Sequence, residues 1–171
     1  MANAGVATSA PAHRTSMADW NSMVAVNLTG AFLTVKPALA GMVARKSGRI
    51  VFIASTAGQK GYAYASAYAA AKHGVVGLMR SIAIEIAASG VTVNALCPGF
   101  VETDMLQESI DRIVKKTGRN EKEAREVLMA GSPQGRFVQP DEVAASVLWL
   151  CAKASGSVTG QTISISGGET W

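Results

Sequence analysis

Three short apolar, β-branched runs separated by longer stretches of helical spacing restrict this chain to few architectures. Ile50-Val51-Phe52-Ile53-Ala54 follows Gly48 and reads as a strand covered on both faces. Val91 to Cys97 is a second such run, closed by Pro98-Gly99, which cannot continue a ladder. Thr162 to Ser166 is a third, ended by Gly167-Gly168. Residues from about Met17 to Val43 place Trp20, Met23, Val24, Leu28, Phe32 and Leu33 at helical spacing, with Pro37 expected to kink or restart the helix. Residues from about Ser66 to Ser89 are apolar nearly all round, with Gly90 in the usual stop position. Pro140 suits the first turn of another helix reaching about Ala152, where Asp141 and Glu142 complement its dipole. The more polar, helical stretch from Asp104 leaves the sheet as an excursion spanning residues 104–137. Strand, helix, strand, helix implies parallel strands joined by right-handed crossovers, an α/β, doubly wound parallel sheet.

Length and composition narrow the function classes. The 171 residues suit one domain, 1–171. With 49% hydrophobic and 16% charged residues the chain is not intrinsically disordered. A net charge of +4, carried by scattered basic residues, does not argue for nucleic acid. No uninterrupted apolar run approaches the roughly 20 residues of a membrane span. Met-Ala-Asn-Ala-Gly shows no basic region followed by an apolar stretch, so the expectation is a cytoplasmic protein without a membrane partner. Cys97 and Cys151 have neither disulfide nor metal spacing and are expected to be reduced core thiols, with no metal site.

In open sheets of this kind ligands bind beyond the carboxyl ends of the strands. Those ends carry Ser55-Thr56-Ala57-Gly58 and Pro98-Gly99-Phe100-Val101-Glu102-Thr103. Tyr68 and Lys72 lie four residues apart on a predicted helix and project from one face. A phenol has a pKa near 10, and an ammonium beside it favours the phenolate and is expected to draw that value toward neutrality. Ser55 can donate a hydrogen bond to a carbonyl oxygen. A carbonyl that accepts hydride needs such a donor for its developing charge and an acid to quench it.

Together these residues resemble the short-chain dehydrogenase/reductases. The matching stretches are Asn3-Ala4-Gly5, Asn27 within Val26-Asn27-Leu28-Thr29-Gly30, Ser55, and Tyr68-Ala69-Ala70-Ala71-Lys72. Pro98-Gly99 with Thr103, then Thr159-Gly160-Gln161 leading to Gly167-Gly168, complete the set. The resemblance implies a Rossmann-like fold and an NADP(H) or NAD(H) cofactor. It implies that Tyr68 is the general acid/base and that Ser55 positions the substrate carbonyl. Lys72 lowers the tyrosine pKa and holds the nicotinamide ribose, while Asn27 supports a relay water from a helix irregularity. Asn3, Ala4, Gly5, Pro98, Gly99, Val101 and Thr103 would line the cofactor cleft together with Tyr68 and Lys72. Ser55, Ala57, Phe100 and Met105 would line the substrate pocket. A homo-oligomer, dimer or tetramer, is expected from the same resemblance.

A full member of that family begins with a strand and a Thr-Gly-x-x-x-Gly-x-Gly turn for the pyrophosphate, and no such turn precedes Asn3. The resemblance therefore covers the C-terminal part of the fold, about strands 4 to 7, and these residues alone are expected to bind nicotinamide cofactor weakly or not at all. The closest likeness is to β-ketoacyl thioester and polyketide ketoreductases and to 3-hydroxybutyrate dehydrogenases. Where the latter carry polar grips for a free carboxylate, this chain has Ala7, Ala57, Ala65 and Phe100. The expected reaction is reduction of a small-molecule or carrier-bound 3-oxoacyl group. The alternatives are NAD-dependent oxidation of a secondary alcohol or 3-hydroxy acid, and a non-catalytic fragment. Tyr62, Tyr64 and Leu106 are further candidates for pocket walls. Arg112, Lys115, Lys116 and Arg119 read as a solvated helix face, with docking of an anionic carrier as the alternative.

Overall fold

Alternation along the strands decides which helix covers which face of the sheet. In the computed structural model, which describes residues 1–171, β1 (Gly48–Ile53), β2 (Val91–Pro98) and β3 (Thr162–Ile165) form a parallel sheet in that order. Gly48 to Ile53 pair with Val91 to Leu96, and Ala95 to Pro98 with Thr162 to Ile165. Successive side chains point to opposite faces. Ile50, Phe52, Val93, Ala95 and Cys97 meet Val75, Val76, Met79 and Ile82 of α3 (Ser66–Glu85) and Ala31 and Val35 of α2 (Gly30–Ala44). On the other face, Val51 and Leu96 meet Leu150 of α6 (Pro140–Cys151). Phe52 is fully enclosed, a burial worth about 1.5–3 kcal/mol. The sheet is thus parallel with helices on both faces, as the doubly wound reading requires.

Ala2 adds a parallel bridge beside Phe52. Its N–H donates to Val51 O (3.0 Å), and it accepts from Ile53 N–H (2.9 Å), so the segment leading to Asn3 runs along the free edge of β1. The excursion is two helices, α4 (Asp104–Thr117) and α5 (Glu121–Met129), over a small core of Leu106, Ile110, Ala124 and Phe137. Leu106 packs in this small core, against which Phe100 also lies. α5 opens on a capping box between Asn120 and Glu123.

Two expectations are corrected. The break in the first long helix is not at Pro37, which lies inside a continuous α2. Pro37 and Leu33 both face solvent, so water can satisfy the carbonyl that loses its partner. The irregularity is instead a π-helical turn, Val24–Thr29, between α1 (Met17–Met23) and α2, where Gly30 N–H bonds Ala25 O five residues back. Counted as one helix, Met17–Ala44 contains an 18-residue window of mean hydropathy 1.4, long and apolar enough by length and composition to cross a membrane. No uninterrupted apolar run signals it, because Asn27, Thr29 and Lys36 are interspersed; in this fold Ala31 and Val35 join the core. Cys151 is exposed on α6 and only Cys97 is a core thiol, since α6 turns Leu150 rather than Cys151 toward the sheet.

Candidate active site

The ends of the edge segment, β1 and β2 converge around α3. Ser55 lies just beyond β1 in extended backbone (φ −176°, ψ 162°), and its Oγ accepts the Ala57 N–H at 3.1 Å. That bond occupies a lone pair and leaves the hydroxyl proton free to donate. The turn that follows lies directly on α3. A Cβ on Gly58 would come within 2.9 Å of the Lys72 carbonyl oxygen and 3.2 Å of Val76 Cγ2. The bare glycine is what lets the strand end reach the helix at the turn carrying Tyr68 and Lys72.

Burial raises the Tyr68 phenol above its ordinary value, and its hydrogen bond with the Ser55 side chain offsets this only in part. Lys72 is 4% exposed, donates from Nζ to Ile53 O at 3.0 Å, and sits 5.7 Å from the Tyr68 ring centroid. Burial pulls its ammonium down to about 8, while the neighbouring Cys97 pushes it back up. Burial likewise pushes the Cys97 thiol up to about 11. The net direction expected for the phenol is therefore corrected: burial outweighs what favours the phenolate and leaves the value raised, and the Lys72 ammonium is aimed at the Ile53 carbonyl. The site holds a protonated phenol beside a buried ammonium that makes no salt bridge.

Asn27, 1% exposed, sits in the π turn. Its Nδ2 donates to Met23 O and Val6 O, both at 3.0 Å, and its Oδ1 accepts the Val6 N–H at 3.2 Å. The side chain thus pins the loop following Asn3-Ala4-Gly5 to the helix; both Nδ2 protons are used, and Oδ1 keeps one lone pair. A Cβ on Gly5 would lie 2.9 Å from Asn27 Oδ1 and 3.6 Å from Lys72 Nζ, so this backbone can approach both only as glycine. Ile53 takes one of the three Lys72 donors, which leaves the others for ligand hydroxyls beside Gly5.

The remaining candidates take varied places. Asn3 and Ala4 are exposed past the bridge at Ala2. Pro98 ends β2, and Gly99 donates to Ile165 O at 3.0 Å. Val101 bridges to Val138, and the exposed Thr103 donates its hydroxyl to Val101 O at 3.1 Å. Ala57 is buried behind Ser55, and Met105 is exposed at the start of α4. Phe100 stacks edge-on between Tyr62 and Phe137, each at 6.5 Å. Of the basic group on α4, Arg112 donates to Ala7 O (3.3 Å) and Lys116 to Ser9 O (3.2 Å), which ties the excursion to the loop after Gly5. No cluster of His, Cys, Asp or Glu could hold a metal ion.

Sequence reasoning missed one group of residues. Glu169 reaches back from the C-terminal segment to Tyr62 and Lys60, with Thr56 bonded to the same phenol. Gly167-Gly168 reads as a strand terminator, and nothing in the local pattern signals the carboxylate that follows.

Known proteins resemble this chain in sequence and in fold. The chain is 42% identical over 150 residues to D-beta-hydroxybutyrate dehydrogenase of Cupriavidus necator, covering 87% of this chain and 58% of that one. It is 39% identical over 167 residues to acetoacetyl-CoA reductase of Shinella zoogloeoides, covering 98% and 65%. Among solved structures, a tryptophan variant of actinorhodin polyketide ketoreductase with NADPH superposes with a TM-score of 0.92 at 40% identity, covering 98% of this chain and 65% of that one. The chain thus spans less than two thirds of the length of each of these relatives. A family model described as enoyl-(acyl carrier protein) reductase matches residues 1–170. With that match running from the edge segment to the C-terminal tail, the chain belongs to the short-chain dehydrogenase/reductase family.

Proposed function

We propose that these residues form the catalytic half of a reductase that converts a 3-oxoacyl thioester carbonyl to the 3-hydroxy form with NADPH. The observation that carries the reading is the meeting of the Ser55 hydroxyl, the Tyr68 phenol and the Lys72 ammonium at the carboxyl end of β1. Bound nicotinamide would supply a hydride to the carbonyl carbon. Lys72 and the open backbone at Gly5 suit the ribose hydroxyls of that cofactor. The glycine-rich pyrophosphate turn is not among residues 1–171, so these residues by themselves offer only the nicotinamide side of a binding site.

Ser55, with its lone pair taken by Ala57, donates its proton to the carbonyl oxygen and holds it in place. As the electron pair of the C=O bond moves onto oxygen, Tyr68 Oη–H transfers its proton there, and the phenolate left behind faces Lys72. The raised phenol pKa keeps that proton in place at neutral pH, which favours the reductive direction. The π turn at Val24–Thr29 shifts the helical ladder by one residue and releases a carbonyl that can hold a relay water, while the Asn27 side chain keeps the turn in position. Ala57, Ala65 and Phe100 offer a carboxylate no cation, which supports a thioester over a free acid. A homo-oligomeric, cytoplasmic enzyme completes the proposal.

The test is turnover of 3-oxoacyl thioesters by the cofactor-bound enzyme containing this segment. Tyr68→Phe should lower kcat by about 10²–10⁴-fold. Turnover retained within a few-fold would refute the reading.

A further inference from the structure

The C-terminal segment ends in a carboxylate placed against the site. The Glu169 side chain is 5% exposed; its Oε1 accepts the Tyr62 phenol proton at 2.5 Å and pairs with Lys60 Nζ at 3.0 Å. Tyr62 Oη also lies 2.5 Å from Thr56 Oγ1. A carboxylate can only accept, so the Tyr62 proton points at Glu169 and the Thr56 proton must point at Tyr62. The donors run one way, from the residue beside Ser55 out to the tail. The Tyr62 ring meanwhile packs edge-on against Phe100, just after Pro98-Gly99. The carboxylate itself sits in a slot between two glycines: a Cβ on Gly99 would be 3.1 Å from Oε2, and one on Gly131 3.0 Å from Oε1. A second stitch lies alongside, where Thr170 Oγ1 donates to Gln59 Oε1 at 2.8 Å.

We propose that Glu169 is a positioning residue that, acting through Tyr62, sets the wall between the Ser55 turn and the Pro98–Phe100 loop and thereby selects the acyl group accepted beyond the carbonyl. The proposal rests on the reductase reading above. Tyr62 meets Phe100 in a T-shaped contact and has its hydroxyl between Thr56 and Glu169, so its ring stands where the two strand-end loops face each other. With Glu169 in place the ring cannot swing. Without it, Lys60 loses its only ion-pair partner, Tyr62 loses its acceptor, and the wall loosens.

The experiment measures kcat and KM of the cofactor-bound enzyme on a ladder of 3-oxoacyl thioesters from short to long chains. Glu169→Ala should raise KM for the short substrate about 10-fold while kcat changes far less, because a loosened pocket holds a small acyl group poorly. Long acyl substrates should lose much less, so the ratio of short to long KM shifts. Tyr62→Phe, which removes only the hydroxyl, should shift the ratio the same way and decides the matter if Glu169→Ala does not fold. Glu169→Gln, which keeps an acceptor for Tyr62, should recover most of the wild-type ratio. An unchanged KM ratio in folded variants, or an equal fall in kcat on every substrate, overturns the proposal. Tyr68→Phe on the same panel separates the two readings. If it abolishes turnover while the ratio stays flat in the Glu169 variants, only the wall is refuted; if turnover survives it, both readings fall.

Discussion

Replacing Lys72 by Met should make the protein more stable while destroying the proposed catalysis. The side chain is 4% exposed and its ammonium is drawn from an ordinary 10.5 down to about 8. At 1.36 kcal/mol for each tenfold loss of proton affinity, the fold carries about 3 kcal/mol of unfavourable charge burial at pH 7. Methionine has a similar shape and no charge, and its introduction forfeits only the hydrogen bond to Ile53 O, worth about 1 kcal/mol. The net expectation is a gain of about 2 kcal/mol at pH 7. The sign with pH follows from proton counting. Below pH 8 both states hold the proton and the folded state bears the whole penalty. Between pH 8 and 10.5 the folded amine is losing its proton while the unfolded one keeps it, so wild-type stability contributed by this group rises with pH. Cys97 and the tyrosines, raised by burial, act oppositely above about pH 9 in both proteins; the tyrosines cancel from the difference, while Cys97, which loses its ammonium neighbour in the variant, limits the comparison to pH 9 and below. Urea unfolding followed by circular dichroism at pH 7, 8 and 9 should show the variant's advantage shrinking by about 1 kcal/mol over that range. A variant less stable than wild type at pH 7, or an advantage indifferent to pH, would refute the reasoning.

Gly58→Ala places a Cβ 2.9 Å from the Lys72 carbonyl oxygen, a backbone atom that no rotamer change can move aside. It should cost about 1–3 kcal/mol in thermal or urea unfolding and, by displacing Ser55, lower kcat at least 10-fold; a fully active, equally stable variant would count against the contact's role. Asn27→Ala removes the three bonds that pin Val6 and Met23, with an expected loss of about 2–3 kcal/mol. Faster hydrogen exchange at the Val6 amide should accompany it, and unchanged protection there would show that the loop is held by something else.

What could be read from the chain depends on how local its cause is. The three strands follow from β-branched runs and from Pro98-Gly99, so their boundaries fall within two residues of the structure, whereas the helix expected to reach Ser89 ends as α3 at Glu85 and gives way to a 3-10 turn over Ala87–Ser89. Tyr68 and Lys72 share a face because helical spacing makes them do so, and Ser55 lies near them because it ends the preceding strand. Apolar spacing did not locate the π turn, since one extra residue in a helical ladder leaves no mark on it and Pro37 drew attention to the wrong place; only the family resemblance set an irregularity at Asn27. Glu169 was not legible because its partner Tyr62 lies 107 residues away. The direction of the Tyr68 and Lys72 shifts was not legible either, because spacing predicts proximity and says nothing of depth. Gly58 carried the information in a form that only the packing reveals: a residue without a side chain, set against a backbone carbonyl.

Depth is also what gives the pair its chemical direction on the reductase reading. In water a phenol and a lysine ammonium hold their protons about equally well, with pKa values near 10 and 10.4. Burial here moves them apart, the phenol up and the ammonium down to about 8, so the phenol is the group that keeps a proton. At pH 7 the site contains one uncompensated positive charge, and the hydrogen bond from Lys72 to a neutral carbonyl does not cancel it. Proton transfer from Tyr68 to a forming alkoxide replaces that lone charge by a phenolate and an ammonium side by side. The same low polarity that penalises the ammonium before the step strengthens its attraction to the phenolate after it. The stability lost at Lys72 and the acidity gained by Tyr68 during the reaction are then two consequences of one buried charge.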